Sequence, residues 1–161
     1  MGKATKAIDS PYYQARIRAA ECNDDFASRE ATADVVGVER TRLARIELGT
    51  LTPYPEEVLM MAEAYNAPEL CNYHCTHDCP IGRITVAHAE LRSIEQIAVR
   101  CYGTLRNAES IKESLISIAA DGVIDEAERP QLVEILRKLS EINQVAAELN
   151  ILARRLGIGK E

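Results

Sequence analysis

Tryptophan is missing from this 161-residue chain, phenylalanine occurs once, and aromatic residues make up only 4% of it. A core without large rings has to be filled by Leu, Ile, Val and Ala, and with 47% apolar residues this composition points to packed helices. No apolar run approaches the ~18 residues of a membrane span, and the opening MGKATKAID lacks the apolar core of a signal peptide. Gly2 superficially suits myristoylation, but Lys6 stands where Ser or Thr is wanted. A soluble, cytoplasmic protein with no membrane partner is expected. There is also no nucleophile elbow, no phosphate loop and no His-Glu zinc signature, so no enzymatic activity is expected.

What is present divides the chain into three stretches: 10–68, 69–83 and 84–158. Ser10-Pro11 opens the first, with a capping hydroxyl followed by a proline at the one helical position where no N–H is missed. The helix from Tyr12 to about Cys22 would place Ala15, Ile17, Ala19 and Ala20 near a core, with Cys22 on its apolar face; Asn23-Asp24-Asp25 ends it. A later helix, Glu56 to Tyr65, supplies a stripe of Val58, Leu59, Met61, Ala62 and Tyr65.

Between these helices lies SREATADVVGVERTRLARIELG, from Ser28 to Gly49, which predicts two short helices joined by a tight turn. Ala31, Val35 and Val36 can face inward in the first. Ala33 permits a close crossing, and Gly37 tolerates the positive φ at which the chain leaves that helix. The second helix would bury Val38, Leu43 and Ile46 and turn Arg40, Thr41, Arg42 and Arg45 outward. Three guanidiniums on one short face suit a major groove, where Arg bonds a guanine bidentately or clamps a phosphate.

With Ala33, Gly37-Val38, Leu43, Ile46-Glu47 and Gly49, followed by Pro55 to Asn66 in the place of the next helix, the segment from about residue 12 to 68 resembles the Cro/XRE-type (lambda-repressor-like) helix-turn-helix family. The resemblance implies a sequence-specific DNA-binding transcriptional regulator whose second helix enters the major groove of double-stranded DNA. It implies base contacts from Arg40, Thr41 and Arg45 with Arg42 nearby, and phosphate contacts from Ser28 and Arg29. The chain departs from the family where Arg29 replaces the usual Gln, Thr32 the usual Leu, and a neutral Thr50 to Tyr54 loop one that is often basic. Residues 1–68 carry eight Lys and Arg against eleven Asp and Glu, so any binding is expected to be modest and salt-sensitive. Glu47 is expected to be structural, pairing with Arg16 or Arg18.

The middle stretch, ELCNYHCTHDCPIG, spaces Cys71, Cys75 and Cys79 four apart, with His74 and His77 between them. Helical steps of four would put the thiols on one face, where thiolates and imidazole suit zinc; a reversible thiol switch and simple unreactive thiols are the alternatives. Cys-x3-Cys-x3-Cys matches no common zinc motif, and Pro80 stops a helix there.

Beyond residue 84, Ile94, Ala98, Cys101, Leu105, Ala108, Ile111, Leu115 and Ile118 form one seam, and Leu132, Ile135, Leu139, Ile142, Ala146, Leu149, Leu152 and Leu156 a second. A break at Asp121-Gly122 predicts an antiparallel helical hairpin, with Asp125 and Glu128 capping the last helix. Ala87, Ile97, Ile116, Val133, Leu136 and Val145 lie off both seams, a surplus that a second copy would cover in a homodimer. The expected fold is therefore all-α: an N-terminal helix-turn-helix bundle plus a C-terminal hairpin. The rival readings are a protein-interaction adaptor that does not bind DNA, and a metal- or redox-sensing regulator built on the cysteine stretch.

Overall fold

The structure, a computed structural model, describes residues 7–120 and 122–159. Every regular element among them is helical, and none is long and apolar enough to cross a membrane. The chain divides into two compact units, Met1–Val86 and Ala87–Glu161. The cysteine stretch is thus part of the first unit, with Leu70 completely buried in that unit's core.

In the first unit, α1 (Pro11–Ala20) starts as expected with Pro11 in its first turn, although the Ser10 hydroxyl makes no cap bond. Most of the loose arm expected over residues 1–9 lies outside the described residues; Ala7 is buried, and its carbonyl accepts the Ser10 N–H at 2.9 Å. A short 3-10 turn, Asp24–Phe26, leads to α2 (Arg29–Val36), α3 (Arg40–Glu47) and α4 (Pro55–Ala64). Ser28 caps α2 by accepting the Ala31 N–H at 3.2 Å, and Gly37 ends it at φ +76°, in the left-handed region that glycine enters without steric cost. Phe26, Val36, Val38, Leu43, Ile46, Val58 and Met61 form the core, with the rings of Phe26 and Tyr65 edge to face at 5.4 Å.

Four apolar residues expected inside point outward instead: Ile17, Val35, Leu59 and Cys22. On α1 the inward positions go to Tyr12, Ala15 and Arg16; on α2 they go to Thr32 and Val36. Thr32 is fully buried at no polar cost, because its hydroxyl donates to the Ser28 carbonyl at 2.7 Å.

The unit closes with α5 (Glu69–Tyr73), a π-helical turn (His74–Asp78) and the short α6 (Gly82–Thr85). Gly82 is required where it stands. A Cβ there would lie 2.2 Å from the Cys75 carbonyl oxygen, so only glycine lets α6 seat on the π turn.

In the second unit the first expected helix is two, α7 (Ile94–Leu105) and α8 (Ala108–Ile118), and both pack on the 27-residue α9 (Arg129–Arg155). Ser93 and Gln96 form a capping box at the start of α7. Asp125 and Glu128 make the reciprocal pair before α9: Glu128 N–H to Asp125 Oδ1 at 2.9 Å and Asp125 N–H to Glu128 Oε2 at 3.1 Å. Of the expected helix break, Asp121 lies outside the described residues and Gly122 has φ +74°. Ile111, Ile118 and Ile135 are buried together, flanked by Leu132 and Ile142.

The seams differ from expectation along α7. Ile94 and Leu105 are exposed, whereas Ile97 and Val145, which the sequence pattern left over as surplus, are buried. The reason is electrostatic as well as steric. Glu148, completely buried on α9, takes Arg92 Nε at 3.0 Å and has Arg100 Nε 3.1 Å from its second oxygen, an ion pair too bent for a hydrogen bond. Seating that carboxylate turns the Ile97 face of α7 inward.

Candidate nucleic-acid interface

The α2–α3 pair is held from beneath by a carboxylate at the end of α3. Glu47 is fully buried, with Oε1 at 2.5 Å from Arg16 Nε and Oε2 at 2.6 Å from Arg29 Nε and 3.3 Å from Arg16 Nη2. Arg16 also donates to the Phe26 carbonyl at 2.8 Å. One carboxylate thereby ties α1, the turn before α2, α2 itself and α3 together. Arg16 is the expected partner of Glu47; Arg18 instead pairs with Glu69 at 2.6 Å. Arg29, expected at a phosphate, is half-buried with its Nε committed to Glu47, so its guanidinium also serves the fold.

A second pair fixes the outer side of α3. Arg42 grips Glu57 of α4 with both Nε and Nη2, the latter at 2.9 Å from Oε2, and its guanidinium lies 4.4 Å from the centre of the Tyr54 ring. Glu57 also accepts the Tyr54 N–H at 2.7 Å. The Arg42 hydrogen bond holds the Glu57 carboxyl below the ordinary carboxylate range, with the Tyr54 N–H helping and burial opposing. Arg42, expected to lie near the base contacts, is therefore drawn toward α4. Tyr54, exposed beside it, and Glu57 carry no expected role in the sequence pattern, although Glu57 at the third position of a helix behind Tyr54-Pro55 is a capping signal.

Three side chains remain on the open face of α3. Arg40, Thr41 and Arg45 are all exposed, and Arg40 Nε stands 4.0 Å from Glu30 Oε2, an ion pair worth little at the surface. Ser28 accepts from Ala31, which leaves its own O–H as a donor at the mouth of α2. Glu39 caps α3 by accepting the N–H groups of Thr41 at 2.8 Å and Arg42 at 2.9 Å, bonds that lower its carboxyl pKa. Those N–H groups are spent, so the polar groups left open on this face are the side chains of Arg40, Thr41 and Arg45.

The cysteine stretch is organised otherwise. Among the described residues no three His, Cys, Asp or Glu side chains gather into a group that could hold a metal ion, and Cys71, Cys75 and Cys79 take part in no disulfide. Cys79 has already left the helix with φ −89° and ψ 118°, so the face begun by Cys71 and Cys75 does not extend to it. Its sulfur instead accepts the Gly82 N–H at 3.4 Å. His77 stacks on Tyr73 at 4.2 Å, and His74 is buried 3.4 Å from Asp78, which also accepts the Tyr12 hydroxyl at 3.1 Å. Burial, and then the Asp78 charge, push the Tyr12 phenol above its ordinary range.

Comparison with known protein families, with curated proteins and with solved structures finds no match to this chain.

Proposed function

We propose that the protein is a sequence-specific transcriptional regulator of the helix-turn-helix type that binds double-stranded DNA in the cytoplasm as a homodimer. The observation that carries this reading is the division of labour on α2 and α3. Arg16, Arg29 and Arg42 are tied into the fold, and the side chains left standing on the exposed face of α3 are Arg40, Thr41 and Arg45. A short helix anchored at both ends, with two exposed guanidiniums and a hydroxyl between them, can lie in a major groove and present bidentate donors to guanine. Two such helices, one from each copy, would read half-sites spaced by about 34 Å or a multiple of it.

The acidic balance of the first unit favours one rival. With Arg29 and Arg42 neutralised internally, the exposed Glu30, Asp34 and Glu39 outnumber Arg40 and Arg45 around the helix pair, a surface that could serve a protein-binding adaptor. Selection of fragments from a random duplex library, followed by titration at several salt concentrations, separates the two. A regulator gives a selected motif and an affinity that falls steeply with salt. An adaptor selects no motif.

A further inference from the structure

The last helix repeats apolar residues at seven-residue spacing over its whole length. Leu132, Ile135, Leu139, Ile142, Ala146 and Leu149 are continued by Ala153 and Leu156, all on alternating steps of three and four. Such a repeat drifts around a straight helix and keeps facing one neighbour only if a second helix runs along it. Within the unit that neighbour is α8, which covers Leu132, Ile135 and Ile142 through Ile111 and Ile118. Coverage then stops. Leu139 is 41% exposed, Leu149 46% and Leu156 67%.

The other helix of the unit does not take over. The residues that α9 buries in this half are Val145, Glu148 and Ile151, with Glu148 meeting Arg100 of α7, and they lie about a third of a turn away from the Ala146–Leu149 line. The C-terminal half of α9 therefore has two apolar faces, one occupied and one open.

The charge pattern indicates what covers the open face. From Ile142 to Ala153, INQVAAELNILA, the sole ionisable side chain is Glu148, and it is buried against Arg92 and Arg100. Three turns of helix thus carry no exposed charge. A surface built for a charged partner would need complementary groups here, whereas a surface that meets its own copy must avoid bringing like charges together. The exposed Asn143 and Asn150 flank the seam with neutral groups able to hydrogen-bond across it.

We infer that the open apolar line of α9, from Leu139 to Leu156 just past its end, is the face through which two copies of this chain pair, each setting Leu139, Ala146, Leu149 and Leu156 against the same residues of the other. This rests on the homodimer reading above and moves the interface from the off-seam surplus to the open end of the seam itself. In a two-fold interface every contact occurs twice, so one substitution is felt twice.

The test uses the full chain in sedimentation equilibrium, with far-ultraviolet circular dichroism to verify folding. Leu149→Glu is expected to weaken self-association by about a hundredfold or more, because it buries two unpaired carboxylates. Val133→Glu, exposed on another face of α9, is expected to leave it unchanged. If Leu149→Glu disturbs the helix content, Leu156→Glu at the more exposed end carries the same expectation. A wild-type chain that stays monomeric at about 100 µM overturns the inference, as does a Leu149→Glu protein that dimerises like wild type. In the second case the homodimer reading survives with a different interface. A wild-type dimer that loses pairing on Leu149→Glu but selects no DNA motif upholds the seam and refutes the regulator.

Discussion

Glu47 shows how much of the helix-turn-helix depends on a single carboxylate. It is completely buried and bonded to two guanidiniums, and Arg16 is buried with it, so removing the acid strands a charge in the core. Glu47→Ala is expected to destabilise the protein by about 3–5 kcal/mol in urea denaturation. The double change Arg16→Met with Glu47→Leu is expected to cost less than Glu47→Ala alone, since it removes both charges together. Tyr65 presents the opposite case: its ring packs edge to face with Phe26 and its buried hydroxyl has no hydrogen-bond partner among the described residues. Tyr65→Phe removes only the unpaired group, and its midpoint is expected to equal or exceed that of wild type. Glu57 makes a prediction in pH. Its carboxyl titrates lower in the folded protein than in the unfolded chain, so its stabilising contribution is complete above the ordinary carboxylate pKa of about 4.3 and is lost as pH falls through the lowered folded value. The stability gap between wild type and Glu57→Gln is therefore expected to be constant near neutrality and to narrow in acid, as followed by urea midpoints over that range.

The elements differ in how plainly the sequence announced them. The starts of α1 and α2, the left-handed exit at Gly37 and the Asp125–Glu128 cap before α9 were legible because each depends on residues within four positions of one another. The role of Glu47 was legible too, since an acid in a helix otherwise turned toward the core needs a cation. What stayed hidden depends on distance in sequence. Arg29 and Arg42 look like free surface cations until their partners, 18 and 15 residues further on, fold against them. The division of α7 from α8 at residues 106–107 was masked because the three-and-four spacing runs on across it. The thiol spacing of four read as a common helical face, but that reading fails where Cys79 turns extended after a π turn. The fit of α6 on that turn gives a further expectation. Gly82→Ala drives a methyl into the Cys75 carbonyl and is expected to cost about 1–3 kcal/mol, with faster amide exchange confined to residues 74–85.

For the whole molecule, two units carry separate cores: the first presents the exposed face of α3 and the second the open apolar line of α9. The internal pairing of Arg29 and Arg42 leaves few free cations, so affinity would have to come from a small number of specific contacts made twice. Long-range attraction to the duplex would contribute little. Fluorescence anisotropy on a selected operator, comparing wild type with Arg40→Ala, Arg45→Ala and Val35→Ala, tests the central claim most directly. The account predicts that each arginine change costs about 1–3 kcal/mol of specific binding with the fold intact, while Val35→Ala, an exposed change on α2, leaves binding unaltered. Equal affinity for the operator in wild type and both arginine variants would contradict it.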